Sequence, residues 1–225
     1  MSVALSPAKP YKGIGMKGVI AKWYAGLTLK SMDRFIELAH RLAAELPPAS
    51  RVLEVAPGPG YLSIELAKLG DYQITGLDIS QTFVEIARKN AATANINVDF
   101  QLGDAAHMPF ADNSFDFLVC CAAFKNFTQP LEALREMWRV LKPTGKALII
   151  DLRRDVPRDT LQHYLNGMQV GARDKLITKL TFRFMLLKRA YTKAEFEQLV
   201  RQTKFTGANI REDAIALEAR LEKAS

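Results

Sequence analysis

The chain has 225 residues, 48% of them hydrophobic and 24% charged, with a formal net charge of +7 and a mean hydropathy of -0.05, which excludes extensive disorder or a collagen-like chain and leaves room for one α/β domain with a full core. The longest uncharged apolar run, Phe117 to Phe124, is too short to span a bilayer and the first twenty residues hold no signal-peptide block, so a cytoplasmic protein with no transmembrane segment is expected. The two cysteines, Cys120 and Cys121, are neighbours, which predicts reduced thiols and no zinc or other metal site.

Met16 to Leu29 reads as a first helix. Phe35, Leu38, Ala39, Leu42 and Leu46 recur at helical spacing behind Ser31 as N-cap, predicting an amphipathic helix over 31–46 that ends at the linker Leu46-Pro47-Pro48-Ala49-Ser50. The pattern then alternates. Strands are predicted at Arg51 to Ala56, Tyr72 to Asp78, Ile96 to Gln101, Phe115 to Cys121 and Lys146 to Asp151. Helices are predicted at Tyr61 to Leu69, Gln81 to Thr93, and Leu131 to Leu141, the last stopped by Pro143. Strands apolar through their length and separated by helices indicate a parallel sheet covered on both faces, that is, a doubly wound α/β domain. A mostly helical stretch from Pro157 to Arg189 interrupts the alternation, followed by a helix (Lys193 to Gln202) and two strands (Phe205 to Glu212, Ala214 to Leu221). Those strands are too close for a parallel crossover, so the last is expected to be antiparallel to its neighbour. Division into an N-terminal helical lid (1–46) and a main domain (51–225) with an inserted helical cap (157–189) follows.

The charge is concentrated. From Leu152 to Lys193 there are ten Lys or Arg against three Asp, and the remainder of the chain balances. Such a block reads as a solvated face, a footprint for nucleic acid or anionic lipid, or the rim of a site for an acidic substrate.

The first strand runs into Glu54-Val-Ala-Pro-Gly-Pro-Gly60, a glycine turn ahead of a helix, where a doubly wound sheet binds a nucleotide-like ligand. Gly58 and Gly60 permit close backbone approach. The dinucleotide fingerprint fails for want of a third glycine after Tyr61, and Glu54 would repel a pyrophosphate but suits an ammonium group. Asp78 ends the second strand, placed to accept two hydrogen bonds from a ribose diol, while Ser80 is the better cap for the helix that follows. Gly103-Asp104-Ala105 follows the third strand, with Asp104 placed for an adenine amino group. Three acids at three successive strand tips around one glycine turn fit an adenosine that carries an amino acid.

On these residues the chain resembles a class I S-adenosylmethionine-dependent methyltransferase, over about Arg51 to Asp151. The family's glycine motif corresponds to Glu54 through Gly60, its ribose acid to Asp78 and its adenine pair to Asp104 and Ala105. Later signatures correspond to Met108 through Phe117 and to Arg139 through Gly145. The resemblance implies a Rossmann-like seven-stranded sheet, mostly parallel with an antiparallel last strand, and S-adenosyl-L-methionine as cofactor. Ala56 departs from it, standing where the family usually has its first glycine, and Pro57 and Pro59 stiffen the turn. Tyr11, Ala56, Ile79 and Cys121 complete the candidate cofactor contacts, although both cysteines lie in an apolar strand.

A narrower stretch, Ala122 through Phe127 with Ala133 through Pro143, is similar to the quinone-ring C-methyltransferases of ubiquinone and menaquinone synthesis. That likeness implies a phenol, hydroquinone or other flat aromatic acceptor near Phe124, Lys125 and Asn126; alternatively Lys125 and Asn126 merely cap the fourth strand. Tyr24 and His163 are further candidates for acceptor contact. His163 is the best placed histidine if a base is required, and Lys125 is an alternative source of phenol activation. The amphipathic basic segment from Lys175 to Arg189 reads as a cap over the acceptor, as a helix with solvated lysines, or as a peripheral membrane or RNA contact. Tyr11, Trp23 and Tyr24 around Gly13, Gly15 and Gly18 read as a lid. An RNA methyltransferase, suggested by the basic block, and a nicotinamide oxidoreductase, suggested by fold alone, stay open beside the small-molecule reading.

Overall fold

The computed structural model describes residues 11–12, 18–29, 32–167 and 186–224. Seven strands form one sheet in the order β3-β2-β1-β4-β5-β7-β6. They are β1 (Arg51–Val55), β2 (Gln73–Asp78), β3 (Asp99–Leu102), β4 (Phe115–Cys121), β5 (Leu141–Leu152), β6 (Gly207–Asp213) and β7 (Ala216–Glu222). The first five strands pair in parallel, and β7 runs antiparallel between β5 and β6. The short β6–β7 turn dictates this: Asp213 pairs with Ala216 across Ala214 and Ile215, with Ala214 at φ 32°.

The helices are α1 (Gly18–Leu29), α2 (Met32–Ala43), α3 (Tyr61–Ala67), α4 (Gln81–Thr93), α5 (Pro130–Val140), α6 (Arg158–Gly167) and α7 (Lys193–Val200), with a 3₁₀ turn at Phe124–Asn126 and one helical turn at Leu187–Arg189. Ser80 caps α4 as expected, its Oγ accepting the Phe83 N–H at 3.3 Å. Thr192 and Glu195 form a reciprocal capping box at the start of α7. Ser31 lies outside the described residues, as does most of the inserted basic segment from Lys175 onward.

Side chains alternate between the two sheet faces. On one face Val52, Phe117, Val119 and Leu148 meet Phe35, Leu38, Leu42, Leu62 and Leu66 from α2 and α3. On the other Leu53, Val55, Leu118, Cys120 and Ile149 meet Leu134 and Met137 of α5 and Phe196 and Val200 of α7. Helix α2 is thus part of the layer that covers the sheet. Its buried Phe35, Leu38 and Leu42 contribute on the order of 5–9 kcal/mol of apolar burial.

Two strands start three or more residues away from the sequence pattern. Strand β5 begins at Leu141, before Pro143, because Leu141 pairs with Phe115 and pairing resumes only at Phe117↔Lys146. The residues between bulge out, with Thr144 at φ 64°. Strand β3 starts at Asp99, since Asn95 at φ 55° ends the α4 run and the Ile96 N–H bonds back to the Ala91 carbonyl.

Candidate active site

The carboxyl edge of the sheet brings together the tips of β1, β2, β4 and β5, and the order of strands reverses between β1 and β4, where doubly wound sheets hold ligands. After β1, the Ala56 N–H donates to the Leu77 carbonyl at 2.8 Å, and the Gly60 N–H to the Pro57 carbonyl at 3.0 Å closes the turn. Ala56, Gly58 and Gly60 all take left-handed backbone, at φ 57°, 56° and 79°. The two glycines serve different ends. A Cβ on Gly60 would lie 2.6 Å from Phe100 Cζ and 2.9 Å from Ala87 Cβ, so this glycine lets the helix layer close on the sheet. A Cβ on Gly58 would meet nothing within 4 Å, leaving open space in front of its backbone, as a ligand cradle requires. Ala56 occupies a glycine conformation at a cost of about 1–2 kcal/mol.

The acids hold this loop. Asp78 is buried, and its Oδ2 accepts the Gly58 N–H at 3.0 Å while Oδ1 accepts the Ser80 N–H at 2.8 Å. Burial pushes its carboxyl up to about 6, against the pull of those two bonds. An ionised carboxylate has about four acceptor sites, so the Asp78 oxygens retain capacity for a diol beside these two donors. Glu54 Oε2 accepts the Ser63 N–H at 3.0 Å and the Ser63 hydroxyl, tying β1 to the first turn of α3. Complete burial raises the Glu54 carboxyl to about 7. Its first task is therefore to organise the turn, a role the sequence pattern missed. Asp104 Oδ1 accepts the Ala106 N–H at 2.9 Å, and its part-exposed Oδ2 lies 3.8 Å from His107 Nδ1. Ala105 packs on the core beside it and Ile79 is half-buried.

Beyond β4, Ala122 takes φ 58° and the chain enters the 3₁₀ turn Phe124–Asn126. Lys125 is buried, its Nζ donating to Asp151 Oδ1 at 2.7 Å and to the Ala122 carbonyl. The Lys125 N–H reaches Asp151 Oδ2 at 2.7 Å. This closed pair bears on the expected activation of a phenol by Lys125, whose charge is already paired with Asp151, and adds Asp151, which sequence reasoning missed, to the candidate site. The available signal was an acid ending the apolar run Ile149-Ile150, as Asp78 ends β2.

Asn126 is buried, and its Oδ1 has no hydrogen-bond partner among the described residues. Phe124, expected against the acceptor, is fully enclosed by Phe127, Tyr191 and Phe196, with ring centroids 5.2–5.7 Å away, and packs the core instead. His163 is exposed on α6, whose buried residue is Leu165. Cys121 packs with the α2–α3 layer, and burial holds its thiol up at about 11 and that of Cys120 well above the usual range, so neither supplies a thiolate.

The N-terminal segment does reach the site. Tyr11 bridges to Phe127 in antiparallel fashion, and the Lys12 N–H donates to the Asn126 carbonyl at 2.7 Å. The Lys12 ammonium lies 3.3 Å from the Tyr191 hydroxyl. The Tyr11 phenol is pushed up to about 12, mostly by burial, with further contributions from Tyr24, Asp78 and Asp151. Tyr11 is thus within electrostatic reach of both Asp78 and Asp151. Tyr24 meets Phe83 edge-on at 6.0 Å, and the Gly18 N–H bonds Thr82 Oγ1, which sets α1 against the start of α4. Gly13 and Gly15 lie outside the described residues, and so does the Trp23 side chain.

The family model for the methyltransferase domain matches residues 53–149, from β1 through β5. Residues 53–149 are thus similar to a methyltransferase domain. This domain and its fold imply S-adenosylmethionine as the cosubstrate, and the open space before Gly58, the Asp78 carboxyl at the loop and the part-exposed Asp104 fit it. Demethylmenaquinone methyltransferase of Deinococcus radiodurans is 37% identical over 102 residues, 45% of this chain and 42% of that protein. The ubiquinone/menaquinone biosynthesis C-methyltransferase UbiE of Ruegeria sp. is 37% identical over 118 residues, 51% of this chain and 47% of that one. The chain thus spans about half the length of the curated relatives it matches. Among solved structures, a Methanococcus maripaludis protein assigned to the S-adenosyl-L-methionine-dependent methyltransferases superposes with a TM-score of 0.76 at 22% identity, covering 99% of this chain and 98% of that one. A SAM-dependent methyltransferase from Aquifex aeolicus gives 0.61 at 17% identity, covering 85% and 97%. These structures share the fold of the domain.

Proposed function

We propose that the protein transfers a methyl group from S-adenosylmethionine to a small, flat, hydroxylated aromatic acceptor of the hydroquinone or phenol class. The observation that carries this reading is the Asn126 Oδ1, which has no hydrogen-bond partner among the described residues. A buried carbonyl oxygen without a donor costs about 1–3 kcal/mol, and a hydroxyl donor on the acceptor removes that cost. The named relatives, which act in quinone biosynthesis, support the same acceptor class.

In this reading Asp78 takes the ribose hydroxyls, Asp104 with Ala105 takes the adenine edge, Gly58 gives backbone access, and Glu54 faces the ammonium end. The cosubstrate supplies an activated methyl on sulfur. The chain's task is to align the acceptor and exclude water. Asn126 orients the acceptor by accepting its O–H, which leaves electron density on the ring, and Tyr11 with Tyr24 closes the opposite side. The RNA reading lacks an equivalent observation at the site.

The test uses methyl-labelled S-adenosylmethionine with a panel of hydroquinones, phenols and bulk tRNA. Label is expected in the hydroquinones, and Asn126→Leu is expected to lower kcat/KM about tenfold, the scale of one hydrogen bond, while cofactor affinity changes less than about twofold. Label found only in tRNA, or unchanged kcat/KM in the variant, overturns the proposal.

A further inference from the structure

Asp104 stands in a turn, Asp104 to His107, that joins β3 to the loop ahead of β4. The turn is closed by its own bonds: the Ala106 N–H donates to Asp104 Oδ1 at 2.9 Å and the His107 N–H to the Asp104 carbonyl at 3.0 Å. Asp104 Oδ2 stays part-exposed, and its direction is set by the backbone on either side of the turn. Upstream, the Gly103 N–H donates to the Asp78 carbonyl at 3.0 Å, which fixes that end to β2. Downstream, Met108 is gripped at both of its backbone polar groups. Its N–H donates to Glu136 Oε2 at 2.8 Å, and its carbonyl accepts an N–H of Arg139 Nη2 at 3.1 Å.

Arg139, in the last turn of α5, directs its whole donor set to this anchor. A guanidinium presents five N–H donors. Two go to Glu136, from Nε to Oε1 at 2.7 Å and from Nη2 to Oε2 at 2.8 Å; the others reach the Phe110 carbonyl at 2.7 Å, Asp112 Oδ1 at 2.7 Å and the Met108 carbonyl. Bidentate pairs of this kind are strong and directional. The fork also holds the Glu136 carboxyl below its usual range, so the pair keeps its charge at neutral pH. Arg135, one turn earlier on the same helix, makes an ordinary surface pair with Glu132 at 2.7 Å, both side chains being about half exposed. Arg139 differs in reaching a loop 27 to 31 residues back in the chain. With every N–H engaged, it acts through that loop and not on a ligand directly.

We infer that Arg139, together with Glu136, is a positioning residue for adenine recognition, holding the Met108 backbone so that the Asp104 carboxylate meets the exocyclic amino group. This rests on the reading that Asp104 takes the adenine edge. A turn ordered in the folded protein does not have to be ordered by the ligand, a cost otherwise subtracted from affinity. Loosening the anchor misplaces Asp104 and spares Asp78, which its own bonds to Gly58 and Ser80 hold.

The test is calorimetry with S-adenosylhomocysteine and with S-inosylhomocysteine, in which a carbonyl oxygen replaces the adenine amino group. A carboxylate that accepts from the amino group repels that oxygen, so the unaltered protein is expected to prefer the adenosyl ligand at least about tenfold. The preference is expected to fall at least about fivefold in Arg139→Gln, and at least about twofold in Arg139→Lys, which keeps the charge but not the fork. Lost stability alone weakens both ligands alike and leaves their ratio unmoved, and Arg135→Gln is expected to change neither affinity. An undiminished preference in Arg139→Gln, or in Arg139→Lys should the first variant not fold, overturns the inference. Asp104→Ala separates it from the reading beneath it. If that variant abolishes the preference while Arg139→Gln keeps it, the positioning role alone fails; if the unaltered protein shows no preference, or Asp104→Ala retains it, the adenine assignment fails and the positioning role with it.

Discussion

Replacing Lys125 by Met tests whether the tips of β4 and β5 are held by one buried ion pair. Methionine keeps the length of the apolar stem and removes the ammonium. Asp151 would then keep the backbone donors of Lys125 and Leu152, at 2.7 and 2.8 Å, but lose its counter-charge in a site where it is 7% exposed. Removing one partner of a buried pair costs about 3–5 kcal/mol, and the Ala122 carbonyl also loses a donor. The expected loss by urea denaturation at pH 8 is therefore about 4 kcal/mol, a large share of the stability of such a domain. The sign with pH follows from the stranded carboxylate. Its folded-state pKa must rise above the unfolded value of about 3.9, so the folded variant binds an extra proton and its stability falls as pH rises through that window. The deficit relative to wild type is expected to shrink toward pH 5 and to be partly restored by adding Asp151→Asn. A deficit below about 1 kcal/mol, or one independent of pH, would refute the ion-pair account.

Two further outcomes follow from the glycine loop. Asp78 and Glu54 have folded pKa values of about 6 and about 7, both raised by burial. Both hold protons the unfolded chain has lost, so these groups lower the stability of the cofactor-free protein as pH rises from about 4 to 7. Ligand hydroxyls and ammonium favour the ionised forms, so calorimetry should show S-adenosylhomocysteine binding at least about tenfold more tightly at pH 8 than at pH 5; a flat profile sinks the assignment of both acids. Ala56→Gly relieves a left-handed alanine and is expected to stabilise by about 0.5–1 kcal/mol after the entropy of the added glycine, read as a higher urea midpoint. Destabilisation by that change would show that Ala56 is not strained.

The strands and the acids at their tips were legible because a buried parallel strand is an uninterrupted apolar run and its last residue stands out when it is charged. Leu53 and Val55 to one face, Val52 to the other, and Asp78 beside Gly58 all follow from that reading. The destination of each side chain was less legible, since it depends on groups distant in the chain. Lys125 looks like a free cation until Asp151, 26 residues on, takes it. Phe124 looks like a wall of the acceptor site until Tyr191 and Phe196 enclose it. His163 stands on a helix whose burial is decided by Leu165, one turn's geometry that composition does not reveal.

The antiparallel bridge between Tyr11 and Phe127 ties the N-terminal segment to the turn that follows β4. It is held by the Lys12–Asn126 backbone bond and the Lys12–Tyr191 contact. Two such bonds contribute about 2 kcal/mol net, which leaves the strap detached in about 3% of molecules at any instant. The same strap is stitched to the backbone of Asn126, the residue proposed to receive the acceptor, so one peptide unit joins the N-terminal segment to the proposed acceptor contact.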